Sequence, residues 1–465
     1  MNLSVKNKIG YGMGALTENA VQNAVNAIMP LIMFNFMGVD PVKIGWIFAV
    51  ARLWDTITDP IMGFISDNTR SRWGRRKPYL LLGVALTAIA FFCMWLFPRG
   101  KSDDWYFVYL LVFCLLYYTG TTIFCVPYIS MGYELASDYN ERTSLMGFRS
   151  FFVNLGALLL PWMYWFVKLD CFADPLVGMR WLAVLCGVIY LAFVLGPTFL
   201  TPTPADGRED ASRNRTEKCS VREIFTSFAV WPFLVMVLTL ALSIVGLFLV
   251  AQFGSNVFIY YICRGDEQFA SKLMGYNGTL SAISCILAIP VVNRLSRWLD
   301  KRLALALMLL TAAAGNLSGL LLWTPAHPYL AILPAIPGAI GISGLWIMLG
   351  SMMADVCDYD LNRNACRRQG VFAAIISWTT KLGYSVCSIF AGYFLKWSGF
   401  ILDLHENQSP ETFLSMRLYL SLLPASGLLL ATLILVIYPL NRAKVKTIQA
   451  ELEAKGLREP ESANP

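Results

Sequence analysis

Apolar residues along this chain follow neither the strict alternation of a strand nor the one-sided spacing of a soluble helix. They run on for about 20 residues at a time, twelve times over, at approximately 9–36, 43–66, 79–98, 105–130, 145–168, 177–199, 229–262, 270–292, 303–323, 328–356, 370–396 and 415–438. A helix crossing a bilayer core takes about 20 mostly apolar residues, because lipid offers its backbone no hydrogen-bond partner. The pattern therefore predicts an all-α membrane protein with twelve transmembrane helices. The first run follows Lys6 and Lys8, is too long for a signal-peptide core and lacks a small-residue cleavage site, so it reads as a retained helix.

The polar connections alternate in charge. One side collects Lys6, Lys8, Arg70, Arg72, Arg75, Arg76, Lys77, Arg208, Arg222, Arg294, Arg297, Lys301, Arg363, Arg367, Arg368 and Arg442. The other is short and poor in Lys and Arg, with Asp103, Asp104, Asp170, Asp174, Asp403 and Glu406. The positive-inside bias puts both termini in the cytoplasm of a plasma (inner) membrane, in keeping with an even helix count. The longest polar stretch, 201–228, divides the chain into a six-helix bundle at 1–200 and another at 229–440, with a cytoplasmic tail at 441–465. Ser71-Arg72-Trp73 recurs as Ser296-Arg297-Trp298 after the second helix of each half, which suits a duplicated, pseudo-symmetric bundle.

Composition narrows the function. Hydrophobic residues make up 57% and charged residues 14% of the 465, too few charges for a soluble protein of this size. The net charge of +7 lies in the loops and forms no basic module for nucleic acid. The eleven Cys stand singly and the two His, His327 and His405, fall in connections, which disfavours a disulfide frame, a zinc centre or His-based catalysis. No G-x-x-x-x-G-K-[ST] is present, so ATP-driven transport is disfavoured as well. No cofactor is called for.

The informative residues are charges inside spans. Arg52, Asp55 and Asp59 share one stripe of the second helix. A carboxylate near the bilayer centre costs about 3 kcal/mol on insertion scales, so two on one stripe point to a cation site for Na⁺ or H⁺, with Thr58 adding a hydroxyl. The competing reading is a structural Arg52–Asp55 pair. Glu18 and Asn19 on the first helix, Arg149 on the fifth and Lys381 on the eleventh point to a central cavity. For Arg149, near the start of its apolar run, a snorkelling side chain competes. Trp346 offers a flat face for a sugar ring or plain helix packing. Asp355 and Asp358 read as structural partners for neighbouring Arg or Lys.

These residues resemble the glycoside–pentoside–hexuronide:cation symporter family of the major facilitator superfamily, whose best-known member is the melibiose carrier. The resemblance rests on I-G-Y-G-M-G-A at 9–15, A-R-L-W-D-T-I-T-D-P-I-M-G at 51–63 and R-S-R-W-G-R-R-K-P at 70–78. Further along it rests on V-P-Y at 126–128, E-R-T at 141–143, A-D-V-C-D-Y at 354–359 and Gln369-Gly370 leading to Lys381. It implies a secondary-active symporter of the major facilitator fold, a monomer working by alternating access. It implies paired cation-site acids at Asp55 and Asp59, a matching hydroxyl at Thr122, and sugar-site or coupling roles for Arg149, Trp346 and Lys381. Thr58 stands where the melibiose carrier has an amide. That carrier's sugar-binding carboxylates fall at Asn19 and Cys125 here, its first-helix lysine at Glu18, and an aromatic platform at Ile129. The sugar site is thus rebuilt.

The expected mechanism follows. A cation removes the repulsion of Asp55 and Asp59, Arg149 and Asn19 bind substrate hydroxyls or a carboxylate, Trp346 packs on a ring, and Lys381 senses both sites. The loop with Arg72, Arg75 and Arg76 latches the halves. The partners are a small glycoside or sugar, the coupling cation and membrane lipid. Competing readings are a same-fold carrier of a lipid-like solute, a membrane-embedded enzyme and a sensor that binds without transport.

Overall fold

A computed structural model describes residues 3–69, 71–135, 139–202, 227–249, 251–364 and 369–455. The linker expected at 201–228 falls almost wholly outside these residues, as do Arg70, Arg367 and Arg368. Among the described residues there are twelve long helices. They are α1 (Val5–Leu31), α2 (Pro41–Asn68), α3 (Lys77–Cys93), α4 (Asp103–Leu135), α5 (Tyr139–Leu159), α6 (Pro175–Leu195), α7 (Trp231–Phe248), α8 (Glu267–Trp298), α9 (Lys301–Leu322), α10 (Ala335–Asn364), α11 (Gln369–Trp397) and α12 (Pro410–Val436). A thirteenth, α13 (Arg442–Ala454), packs against α10. Eight of the twelve are long and apolar enough to cross a membrane by length and composition. The other four are α3, only 17 residues long, and α1, α2 and α11, which carry polar and charged residues at mid-span. Three of these four helices thus carry Glu18, Asp55, Asp59 and Lys381.

The chain reverses at each connection, so α1 starts on the side of the termini and α2 on the far side. Even-numbered helices start on the far side, where their unpaired N–H groups need acceptors. Asp40 accepts from the Val42 N–H at the start of α2, Asp174 from Leu176 and Val177 at α6, and Asp266 from Phe269 at α8. Asp103 and Asp104 occupy the first turn of α4. The acidic far-side loops are therefore largely helix starts, and carboxylates also suit the positive end of the helix dipole.

In the first half α1 packs on α5, α4 on α2 and α3, and α6 on α3; in the second α9 packs on α12 and α10, α8 on α10, and α7 on α12 and α11. The contacts between the halves run from the far side to mid-depth along two seams. In one, α2 crosses α11 with backbones in contact. A Cβ on Gly45 would lie 2.3 Å from the Ser388 carbonyl oxygen, and one on Gly392 2.4 Å from that of Pro41. Lys396 on α11 reaches Asp40 at 2.7 Å. In the other seam α5 breaks at Pro161 into a 3-10 turn (Leu160–Trp162) and a short helix (Met163–Val167) that lean on the start of α8. There Trp162 donates to Thr279 at 2.9 Å, Lys168 pairs with Glu267, and Gln268 donates to Asp170. On the terminal side Arg76–Asp67 and the Lys77 bond to the Thr201 carbonyl stay within the first half, and Lys301–Asp355 and the Arg442 bond to the Arg297 carbonyl within the second.

Candidate functional site

Mid-depth is where the ionisable groups meet. Asp55 is the fifteenth of 28 residues in α2, Lys381 the thirteenth of 29 in α11, and Glu18 the fourteenth of 27 in α1. Asp55 and Asp59 lie one turn apart, so their carboxylates leave α2 on one face. Lys381 Nζ comes across from the other half and contacts both, at 2.8 Å to Asp55 and 2.5 Å to Asp59. On the opposite flank, the Thr122 hydroxyl of α4 lies 2.8 Å from Asp55 and 3.0 Å from Asp59. A hydroxyl has one proton to give, so it bonds one carboxylate at a time. Thr58 is less central. Its hydroxyl bonds carbonyls of its own helix and lies 3.3 Å from that of Thr122, so Thr122 is the hydroxyl that touches the acids.

Asp59 is the more open acid, with a side chain 34% exposed against 11% for Asp55. A small cation thus has access at Asp59, and the position between the two acids is taken by an ammonium. Thr122→Val keeps the shape and removes the hydroxyl. Were a metal cation to bind here, the same oxygen could turn its lone pairs to the ion, and losing a charge-assisted contact of that kind is worth about 1.5–3 kcal/mol. If that loss outweighs the missing donor on the empty acids, Na⁺ affinity is expected to fall roughly 10-fold, read by titrating cation-dependent fluorescence of the purified protein.

Arg52 makes no ion pair among the described residues. Its guanidinium lies over the rings of Tyr118, 5.1 Å away, and Tyr384, 5.7 Å away. The cation beside Asp55 is Lys381, so in place of the Arg52–Asp55 pair of the competing reading there is a cation–π clamp between α4 and α11. Tyr118 and Tyr384 had no mark in the sequence beyond being aromatic.

A second pair lies within the first half. Arg149 Nη2 meets the Glu18 carboxylate at 2.8 and 2.6 Å. Helix α5 begins at Tyr139, ahead of its apolar run, and Arg149 is its eleventh residue, about 15 Å from the start. At that depth it pairs rather than snorkels. One turn on from Glu18, the Gln22 amide donates to Cys125 Sγ at 3.5 Å. Asn19 keeps its side-chain oxygen buried without a partner among the described residues, near Gly156.

The family model for MFS/sugar transport proteins matches residues 10–442. The chain belongs to this family. Its glycoside–pentoside–hexuronide branch is supported by relatives along almost the whole chain. The chain is 24% identical over 456 residues to the uncharacterized symporter YnaJ of Bacillus subtilis, covering 97% of this chain and 95% of that one. It is 22% identical over 472 residues to the isoprimeverose transporter of Lactiplantibacillus pentosus, covering 97% and 92%. It is 23% identical over 481 residues to the sodium-dependent lysophosphatidylcholine symporter 1-B of Danio rerio, covering 95% and 88%. The solved structure of nucleoside transporter NupG superposes with a TM-score of 0.65 at 13% identity, covering 93% of this chain and 99% of that one, and shows a shared fold. The protein is a multi-pass major facilitator transporter and not an enzyme.

The remaining positions lie apart in this MFS transporter. Trp346 is the twelfth of 30 residues in α10 and 41% exposed, with no indole hydrogen bond among the described residues. Asp355 holds Lys301 at 2.7 Å at the end of α10, and Asp358 stands one turn on. Arg72 is exposed in the α2–α3 turn; Arg75 and Arg76 stand at its far end, where Arg76 pairs with Asp67 at 3.0 Å.

Proposed function

We propose that this transporter is a secondary-active symporter that couples a cation, Na⁺ or H⁺, to a sugar or glycoside by alternating access. The observation that supports it most is Lys381. An ammonium from the second half bridges two acids of the first, at mid-depth, in the seam that joins the halves, and leaves one negative charge unbalanced. An incoming cation can take its place, which frees Lys381 and loosens the α2–α11 seam. By linkage, whatever substrate gains from that rearrangement the cation gains equally. Arg149, Asn19 and Trp346 serve the substrate, and the coupling ion is the only accessory the scheme needs. The basic turns after α2 and α8 support a cytoplasmic terminal side, and in this reading the protein acts as a monomer in the plasma (inner) membrane.

A second reading, a lipid-like solute, has its own support. Helices α1, α5 and α6 enclose an apolar cleft of about 230 Å³ lined by Leu16, Leu159, Trp165, Phe166, Leu185 and Ile189. One relative along most of the chain is named for lysophosphatidylcholine. Uptake by proteoliposomes under imposed Na⁺ or H⁺ gradients decides between them. Sugar accumulation that lysophospholipid does not inhibit supports the first reading. Lysophospholipid uptake untouched by a glycoside panel overturns it.

A further inference from the structure

The Glu18–Arg149 pair is a second buried ion pair with a different design from the first. Asp55, Asp59 and Lys381 join the two halves, whereas Glu18 and Arg149 come from α1 and α5 of one half. Two acids share one ammonium in the first cluster. In the second, one acid is matched by one guanidinium and no charge is left over for a metal ion. The pair is also lopsided in exposure. The Glu18 side chain is 9% exposed and that of Arg149 28%, so a solute reaches the pair from the arginine side.

The polar groups beside the pair are mostly donors held by weak partners or acceptors with none. Gln22 spends its amide on a thiol, a poor acceptor. The Asn19 oxygen is unpaired among the described residues. The other ionisable neighbours are few. Cys125 and Tyr128 of α4 lie within electrostatic reach of Glu18. Asp55 and Asp59 of α2 lie beyond Cys125. Helix α6 turns Cys186 and Tyr190 toward Leu16 and Ala20, the adjoining face of α1. None of these is a cation able to stand in for Arg149.

We infer that Glu18 is a proton-binding site and that its protonation hands Arg149 to a carboxylate on the substrate, which makes an anionic sugar, a uronide, the preferred cargo. Neither event is stable alone. Protonating Glu18 strips the buried guanidinium of its counter-ion, and bringing a second carboxylate to an occupied Arg149 sets two anions against one cation. Together they conserve charge: the Glu18 carboxylate gains one H⁺, the guanidinium exchanges one carboxylate for another, and the Gln22 amide turns from the thiol to a sugar oxygen. One proton enters with each uronide, so affinity rises as pH falls. This inference rests on the sugar-symport reading and deepens it.

The test compares methyl glucuronide with its uncharged twin, methyl glucoside, binding to the purified full chain in nanodiscs between pH 5.5 and 8.5 at fixed Na⁺. Taking the ratio of the two affinities cancels any titration of Asp55 and Asp59 that both ligands feel. The ratio is expected to favour the uronide and to fall about tenfold per pH unit above the titration of Glu18, the slope for one linked proton. In Glu18→Gln the amide stands in for the protonated acid, and the uronide binds with no pH slope, as tightly at pH 8.5 as the parent does at pH 5.5. A wild-type ratio flat in pH, or a slope that survives Glu18→Gln, overturns the proton site; the wild-type measurement holds even if the variant does not fold. If only the glucoside binds, the inference falls and the sugar-symport reading stands. If neither sugar nor any of a glycoside panel binds, both fall.

Discussion

In proteoliposomes carrying Asp55→Cys, accumulation of solute under an imposed Na⁺ or H⁺ gradient is expected to drop to the level of empty vesicles. Asp55 is the deeper of the two acids and contacts both Lys381 and Thr122. Its removal leaves Lys381 matched to Asp59 alone, and the cluster changes from a net negative charge to neutrality. A cation arriving there then meets one carboxylate, already satisfied. At an effective dielectric of about 20, a lost unit charge near 4 Å is worth roughly 4 kcal/mol, or about a thousandfold in cation affinity. Exchange of labelled for unlabelled substrate does not draw on the gradient, so it separates a broken coupling site from a broken fold. Retained exchange with lost accumulation is the expected pattern. Accumulation that persists in the variant places the driving ion elsewhere and removes the basis for the cation site.

The twelve spans were legible because lipid imposes one demand on every crossing residue, and that demand is visible locally. The pairing of Asp55 with Asp59 was legible for the same reason, since one helical turn is a fixed offset. Their partner was not. Lys381 lies 322 residues from Asp59, and no local pattern carries a contact across the seam between two bundles. Arg52 is closer in sequence to Asp55 but spends its charge on two rings contributed by α4 and α11. Arg149 shows a different limit. Its depth was ambiguous because apolarity marks where a helix enters lipid and not where it begins, and α5 starts in a polar stretch at Tyr139. Gln22 is an amide and carries no charge to mark it in the sequence. The Cys125 thiol beside it, at the position where the melibiose carrier has a carboxylate, gives it meaning.

Lys381→Met is expected to separate binding from transport. Methionine keeps length and apolar volume while removing the ammonium, so Asp55 and Asp59 are left with one Thr122 proton between them. Two carboxylates in contact with the same hydroxyl repel, and a Na⁺ ion or a proton relieves that repulsion. In the proposed scheme an incoming cation has to displace Lys381 from two ion pairs at once, which lowers its apparent affinity by the fraction of molecules in which the site is free. Without the lysine that competition disappears, and cation affinity should rise roughly 10- to 100-fold, corresponding to about 1.4–2.8 kcal/mol. The same change removes the mid-depth tie between α2 and α11. Cation binding then no longer alters how the halves are held, and gradient-driven uptake should be lost even though the ion binds more tightly. Isothermal titration of the coupling ion, paired with uptake by the same preparation, reads both effects. A fall in cation affinity would mean that Lys381 orders the carboxylates for the ion instead of competing with it. Tighter binding with normal uptake would mean that the α2–α11 tie has no part in coupling. A rise in affinity accompanied by loss of uptake is the outcome expected only when one side chain acts both as the ion's rival and as the clasp between the halves.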